Sequence, residues 1–508
     1  MKKTMLKRSA AALLAGAMVC TLAACGDGTQ TADGKVPIKM FITDRSDAPM
    51  SNDMMVFQQL NEKCGVDIQL ELAPSASADA KERFNLLMAS DEIPDVVVYK
   101  LDELNKYTKA FAPLNDLIDQ HAPNIKKAIE EDETTVRDLT ALDGNIYTLA
   151  KISPVKTANV YFARKDWMDK LGIEEPKTLD EFYNMLVKFR DGDPNGNGEK
   201  DEIPYTTRSK KSGLMNFAEA FGIREEYFVE DGTVKYGAID PRMKDVLTFL
   251  NKMYTEKLVD TEYPTLDNKQ WQARVTNEQS GVLHDWVSRI DFFNQLLEKT
   301  NPEGKFTALL PPTQGDVPVG TWYQMTRARD DGAAAISKAS KNKEAVIKMF
   351  DYIFSDEGML LTNFGLEGDT YTMESGDPVY TDKILKNSDG KAPQIALYSE
   401  ALTIDWPMVQ DMRYEKQLLS PEAGAARDKY EPIIRKSFPK LKFTDAERSE
   451  ISAKMGDITT YKDEMMDKFI TGTEPISNFD NFVQQLKTMG IDEVLGKYNS
   501  AYQKYLSN

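Results

Sequence analysis

The sequence predicts an α/β protein whose first part is built on a parallel sheet. Two patterns carry that expectation: strand-like and helix-like segments alternate from the first ordered residues onward, and helical periodicity closes the chain. Val36–Ile42 (VPIKMFI) reads as a strand and Met54–Cys64 as a helix. Val66, Ile68, Leu70 and Leu72 alternate with polar residues, the period of a half-buried strand. Phe84, Leu87 and Met88 mark a second helix, and Asp95–Tyr99 behind Pro94 reads as a buried strand. This βαβαβ order implies right-handed crossovers. Further on, Trp167, Leu171, Phe182, Met185, Leu186 and Phe189 suit helical packing, as do Met243, Val246, Leu247 and Leu250. Ala333–Ile336 is expected as a short strand before a helix over Lys343–Phe354. Phe479, Phe482, Val483, Leu486 and Met489 recur at three and four residues, with Ser477 as the expected N-cap.

The N-terminus reads as an export signal. Lys2, Lys3, Lys7 and Arg8 precede the apolar run Ala10–Val19, which is too short to span a bilayer. The run ends in Leu22-Ala23-Ala24-Cys25, which resembles the lipobox of bacterial lipoproteins and makes Cys25 the expected lipidation site. Residues 1–24 are then the signal peptide. Residues 25–35, rich in Gly, Thr and Asp, form a flexible tether.

Removing residues 1–24 leaves 484 residues, and the loss of four basic groups takes the formal charge from −18 to −22. That acidity argues against nucleic acid and against adsorption to anionic lipid, so the membrane is expected to be met through the anchor alone. Cys20 leaves with the signal and Cys25 carries lipid, so Cys64 has no intrachain partner. The histidines are His121 and His284. The motifs H-E-x-x-H, C-x-x-C, G-x-S-x-G, the P-loop and G-x-G-x-x-G do not occur. Hydrolase and dinucleotide readings therefore lack their usual sequence support, which favours a binding protein.

Six segments together resemble one family. They are DGNIYTLA (143–150), ARKDWMDKLGI (163–173), DPNGNGEKDEIP (193–204), AAISKASKNKEAV (334–346), NFGLEGDTYT (363–372) and FDNFVQQLKTMGIDEVLGKYNSAYQKY (479–505). The chain is similar in these to the family 1 extracellular solute-binding proteins of ABC importers, of the alginate-binding and lipoprotein A types. The resemblance implies a periplasmic-binding-protein-like fold of two α/β lobes, with a hinge and a ligand cleft between them. Lobe one is expected from 36–150 plus 330–390, and lobe two from 151–325 plus 391–508. It further implies capture of an oligosaccharide, delivery to ABC importer permease subunits, and action as a monomer on the extracellular face of a single-membrane cell. Two alternatives stay open: a secreted glycoside hydrolase or polysaccharide lyase with paired carboxylates, or a binding protein for peptide or lipid cargo.

The loop Asp193–Glu202 is the sharpest local motif. Oxygen-bearing side chains alternate at Asp193, Asn195 and Asn197, and glycines permit a tight turn, a pattern suited to Ca2+. Position 12 of an EF-hand reading is Pro204, so Asp201 and Glu202 are expected to supply the late oxygens, as in the alginate-binding relatives, and Glu199 its carbonyl. The bound Ca2+ would be structural.

Ligands of open α/β sheets sit beyond the strand C-termini. That rule nominates Asp44, Arg45, Tyr99, Lys100, Arg208, His284, Asp285 and Trp286. A pyranose also needs an aromatic face and planar hydrogen-bonding groups. Trp286 and Trp406, each beside an aspartate, and Trp322-Tyr323 after PPTQGDVPVGT, are the expected platforms. Trp167 is expected in the core.

Overall fold

The computed structural model describes residues 34–90, 92–153, 159–322, 326–389, 391–402 and 405–507. The export signal, Cys25 and Tyr323 lie outside the described residues.

Nine strands build two sheets: β1 (Val36–Thr43), β2 (Val66–Ala73), β3 (Val96–Tyr99), β4 (Thr148–Leu149), β5 (Asn159–Arg164), β6 (Ile203–Tyr205), β7 (Ser280–Trp286), β8 (Phe306–Leu309) and β9 (Ala333–Ile336). The first sheet has the order β2-β1-β3-β9-β4. β1 pairs parallel with both β2 and β3, as the alternating pattern requires, through the helices Met55–Cys64 and Ser77–Met88. β9 enters antiparallel between β3 and β4, so its first residue, Ala333, lies opposite Tyr99 at the C-terminal edge of β3. The second sheet has the order β8-β5-β7-β6, with β6 and β7 parallel and the other pairs antiparallel.

Each sheet has its own core. The first is made by residues from Ile38 to Ile152, by Ala328 to Leu361, and by Leu402, Trp406 and Met408. The second runs from Tyr161 to Leu309 and is completed by the C-terminal helices Asp445–Thr471, Phe479–Thr488 and Ile491–Ser507. The opposite face of the second sheet is covered by Trp271, Ile290 and Phe293 and by the helix Pro421–Tyr430. A small separate cluster, Phe364 to Tyr414, holds the hairpin Tyr371–Glu374 and Asp377–Tyr380. The segment after residue 391 thus differs from the expected boundary: Leu402, Trp406 and Met408 pack into the first core, because the chain returns there before crossing again.

The helix Leu179–Asp191 shows how local sequence sets packing. Thr178 and Glu181 form a reciprocal capping box, and Leu179, Phe182, Met185, Leu186 and Phe189 all point inward. Gly281 on β7 is required beneath it, because a Cβ there would lie 2.6 Å from the Phe189 ring and 3.0 Å from the Pro204 carbonyl. The expected cap at Ser477 is not formed. Ser477 lies in a 3-10 turn, Ile476–Asn478, and the helix begins at Phe479 without a side-chain cap.

The two cores are joined by segments running side by side. Ile152 bridges antiparallel to Ala328 and parallel to Val409. The Ile152 amide donates to Met408 O at 2.8 Å, and the Ser153 amide to Arg327 O at 3.0 Å. Thr321–Trp322 pairs parallel with Ile434–Arg435. Among the described residues no helix is long and apolar enough to cross a membrane.

Candidate ligand cleft and cation loop

A cavity of about 350 Å³ opens at the edge of the first sheet, where β1 and β3 end and β9 begins. Asp44 and Arg45 lie there as expected, but they build the wall. The Asp44 Oδ1 accepts from the amides of Arg45 at 2.8 Å and Met50 at 2.9 Å, which fixes the turn after β1. Arg45 is buried; its Nη1 donates to the Tyr398 carbonyl at 2.9 Å, and its Nε lies 3.8 Å from Asp405. Burial lowers the pKa of its guanidinium. Tyr99 stacks on Phe84 at 4.3 Å, and Lys100 is exposed on the rim.

Asp331 stands on the same wall, bound to Lys151 at 2.6 Å and to Arg329 at 3.2 Å. Against the cost of burial, these two cations hold its carboxyl at about 2. Gly332 beside it has φ +73, and a Cβ would come within 2.4 Å of the Trp406 amide. Asp331, Tyr398 and Asp47 were missed in the sequence, and Asp405 was read there only as the acidic neighbour of Trp406. Asp331 precedes an antiparallel strand, so only the pairing of β9 brings it to the edge where the parallel strands end. Tyr398 and Asp405 arrive from a segment with no strand at all.

The second sheet contributes Arg208 and Trp286, at the ends of β6 and β7. Asp285 is buried and holds Arg208 through two hydrogen bonds, 2.6 and 2.8 Å. Its Oδ1 also accepts from the Trp286 amide at 2.8 Å. This corrects the expectation that Asp285 offers hydrogen bonds to a sugar: its oxygens are already used in fixing Arg208 and the backbone at Trp286. Trp286 itself keeps 38% of its surface exposed. Arg208 lies over the Trp271 ring at 5.5 Å. His284 is buried, accepts from or donates to Asn216 at 2.8 Å, and lies 4.3 Å from the Tyr161 ring. Burial pushes its pKa down to about 4.

The other tryptophans divide. Trp406 is wholly buried between Phe57 and Phe350, at 5.7 and 5.9 Å, so it is core and not a sugar platform. The extended segment expected before Pro407 is not formed: the backbone bends at Asp405 and Trp406, with Asp405 at φ 56, and the ring turns inward. Trp167 is core, edge-on to Phe189. Trp322 is half-buried with the Arg435 guanidinium 4.3 Å over its ring, a contact that occupies one of its faces.

The loop after the helix Leu179–Asp191 is folded on itself. Asp193 has φ 45, and its Oδ2 accepts from the Gly198 amide at 3.2 Å. The Asn195 and Asn197 amide groups both donate to Asp201 Oδ1, at 3.2 and 3.1 Å. The Asn197 side-chain oxygen accepts from the Glu199 amide at 2.7 Å. Three carboxylate oxygens here are buried without a hydrogen-bond partner: Asp193 Oδ1 and both oxygens of Glu202. Burial pushes the Glu202 carboxyl up. Orphaned anionic oxygens of this kind are costly in a folded protein unless a cation or proton meets them. Among the described residues no group of three or more His, Cys, Asp and Glu side chains is preformed for a metal. The donor set here mixes carboxylate with amide oxygen, which suits a hard cation and not zinc.

A profile of the bacterial extracellular solute-binding proteins matches residues 46–360, more than half of the chain. The chain belongs to that family. Among its relatives is the fructooligosaccharide ABC transporter substrate-binding protein FusA of Streptococcus pneumoniae serotype 4, 26% identical over 98% of both chains. Another is lipoprotein LipO of Bacillus subtilis, 24% identical over 99% of both. Of solved structures, the alginate-binding protein AlgQ2 without calcium ion is 30% identical and superposes with a TM-score of 0.76, covering 92% of this chain and 98% of that one. An EF-hand mutant of Streptococcus pneumoniae FusA, in complex with fructo-nystose, shares the fold at 22% identity and a TM-score of 0.72, over 93% of this chain and 100% of that one. The solute-binding proteins of this shape are two-lobed α/β molecules, and the two separate cores described above are those lobes.

Proposed function

We propose that this solute-binding protein captures an oligosaccharide between its lobes and presents it to the permease of an ABC importer. The observation that carries the reading is the cavity at the strand ends of the first lobe. It carries aspartates on its wall, and on the second lobe Trp286 keeps an exposed ring at a strand end. Carboxylates accept hydroxyl hydrogen bonds, and an indole face covers the C–H face of a pyranose. The named ligands of FusA and AlgQ2 support the saccharide class.

Capture proceeds by closure. The segments that cross between the lobes near Ile152, Ala328 and Val409 are few and extended, so a rotation there moves the lobes without disturbing either core. Arg208 acts through Asp285 and the backbone of Trp286, so it is a positioning residue. The lobes divide near Ile152, Ala328 and Val409. The protein binds and releases its solute without chemistry.

Asp193, Asn195, Asn197, Asp201 and Glu202 would hold Ca2+, with the Glu199 carbonyl completing the set. The orphaned oxygens of Asp193 and Glu202 support this assignment. The ion would supply positive charge that ties the loop to β6, which begins at Ile203. Cys25 carries the lipid that holds the monomer on the outer face of the cell membrane. A thermal-shift screen over oligosaccharides tests the binding reading, since a ligand that binds only the native state raises its melting temperature. A library that leaves the melt unchanged throughout would remove the saccharide assignment.

A further inference from the structure

We propose that Arg289 forms an anion-binding subsite on the second lobe, which takes a carboxylate or sulfate group of an acidic oligosaccharide beside the exposed ring of Trp286. The inference rests on the saccharide reading above and deepens it.

Recognition of a charged sugar needs a cation whose charge is not already matched, held in position to meet the anion. Several cations at the strand ends are matched. On the first lobe, Arg45 stands against Asp405, and Lys151 and Arg329 both engage Asp331. On the second lobe, buried Asp285 binds Arg208 through two hydrogen bonds, so that pair is closed. Arg289 is different. It follows Trp286 by three residues, in the first turn of the helix Ser288–Leu297. Among the described residues it makes no hydrogen bond and no ion pair.

Its surroundings make this position a subsite. The Arg289 guanidinium is half-buried and lies 4.8 Å over the Phe292 ring, so its freedom is limited before a ligand arrives. Asp285, the carboxylate that partly offsets its charge, is spent on Arg208 and on the Trp286 amide. Asp291, on the same helix, is turned to the Ser420 amide at 3.1 Å. Arg289 also feels Arg208: burial and that like charge both lower the pKa of its guanidinium. Two guanidiniums therefore share one carboxylate, and an anion entering here relieves their repulsion. Trp286, exposed at the end of β7, offers its indole face to the C–H side of the same sugar. A ring on the indole and an anion on the guanidinium hold the sugar at two points, which sets its orientation.

The test is calorimetric titration of the whole mature protein with oligosaccharides of matched length. The charged arms are oligogalacturonates and oligomannuronates, and sulfated galacto-oligosaccharides. The neutral arms are the methyl esters of the same uronates, unsulfated galacto-oligosaccharides, and fructo-, gluco- and manno-oligosaccharides. A charged chain should bind about tenfold or more tightly than its neutral counterpart, and the margin should shrink as salt rises. Comparison of the uronate and sulfate arms tells which anion is taken. Arg289→Gln should remove the margin while the ligand-free melt and the affinity of the neutral counterpart stay nearly unchanged. Arg289→Lys keeps the charge and should restore part of the margin. A charged chain bound no more tightly than its neutral counterpart, or a margin that survives Arg289→Gln, overturns the proposal and leaves the saccharide reading standing. Binding of no chain in any arm overturns the saccharide reading and this inference together.

Discussion

Alanine at Trp406 and at Trp286 should act on two different quantities. Trp406 is fully buried and packs against Phe57 and Phe350, which come from separate elements of the first core. Truncation removes the transfer free energy of a large ring and leaves a cavity that the rigid sheet cannot fill. The expected loss is about 3–5 kcal/mol of stability. With about 2–4 °C per kcal/mol for a unit the size of one lobe, the first unfolding transition should fall by roughly 6–20 °C. Trp286 is 38% exposed at the end of β7, so its truncation should move the melt little. It should instead cost about 1–3 kcal/mol of binding, roughly ten- to hundredfold in affinity for the captured saccharide. The assay is a ligand-free melt beside a calorimetric titration for each variant. Two results would refute the reasoning: a Trp406→Ala protein that melts as the wild type does, or a Trp286→Ala protein with unchanged affinity.

Chelation should lower the melting temperature of the wild type, and Asp193→Ala should abolish that sensitivity; an unchanged melt in chelator with no metal by elemental analysis removes the Ca2+ assignment. His284 gives a pH dependence of known sign. Its folded pKa of about 4 lies below the ordinary 6.5, so the unfolded chain takes up the proton first. The stabilisation is complete above pH 6.5 and is lost as pH falls toward 4, at a cost of about 3 kcal/mol. His284→Gln, which keeps a partner for Asn216, should flatten stability over that window, and an unaltered slope would exclude His284 as its source. Cys25→Ala should block fatty-acid incorporation, and labelling that persists in the variant would place the anchor elsewhere.

The periodic elements were legible in the sequence. The run from Val36 to Tyr99 specified parallel pairing because each helix between strands forces a crossover, and Phe182, Met185, Leu186 and Phe189 marked the apolar face of Leu179–Asp191. What stayed hidden depends on contacts distant in sequence. The place of β9 between β3 and β4 decides that Asp331 faces the cleft, and no local pattern encodes an antiparallel insertion. Trp406 illustrates the same limit: a non-helical segment can present a ring to either side, and only the cores reveal which side is wet. Asp285 was found by its strand but misjudged in role, since its partner Arg208 lies 77 residues away in the chain. The cation loop was readable because its oxygens are local. Its orphaned carboxylates, which give the loop its chemical meaning, required the fold.

The central claim is that the cleft binds a saccharide and leaves it intact. The most direct measurement is titration of the mature protein with an oligosaccharide that raises its melting temperature, followed over hours by assay for new reducing ends. The account predicts a single saturable site, closure of the lobes visible as a smaller radius of gyration by X-ray scattering, and no reducing ends above the protein-free control. Steady release of reducing ends, abolished by substituting a cleft aspartate, would contradict it and make the protein an enzyme.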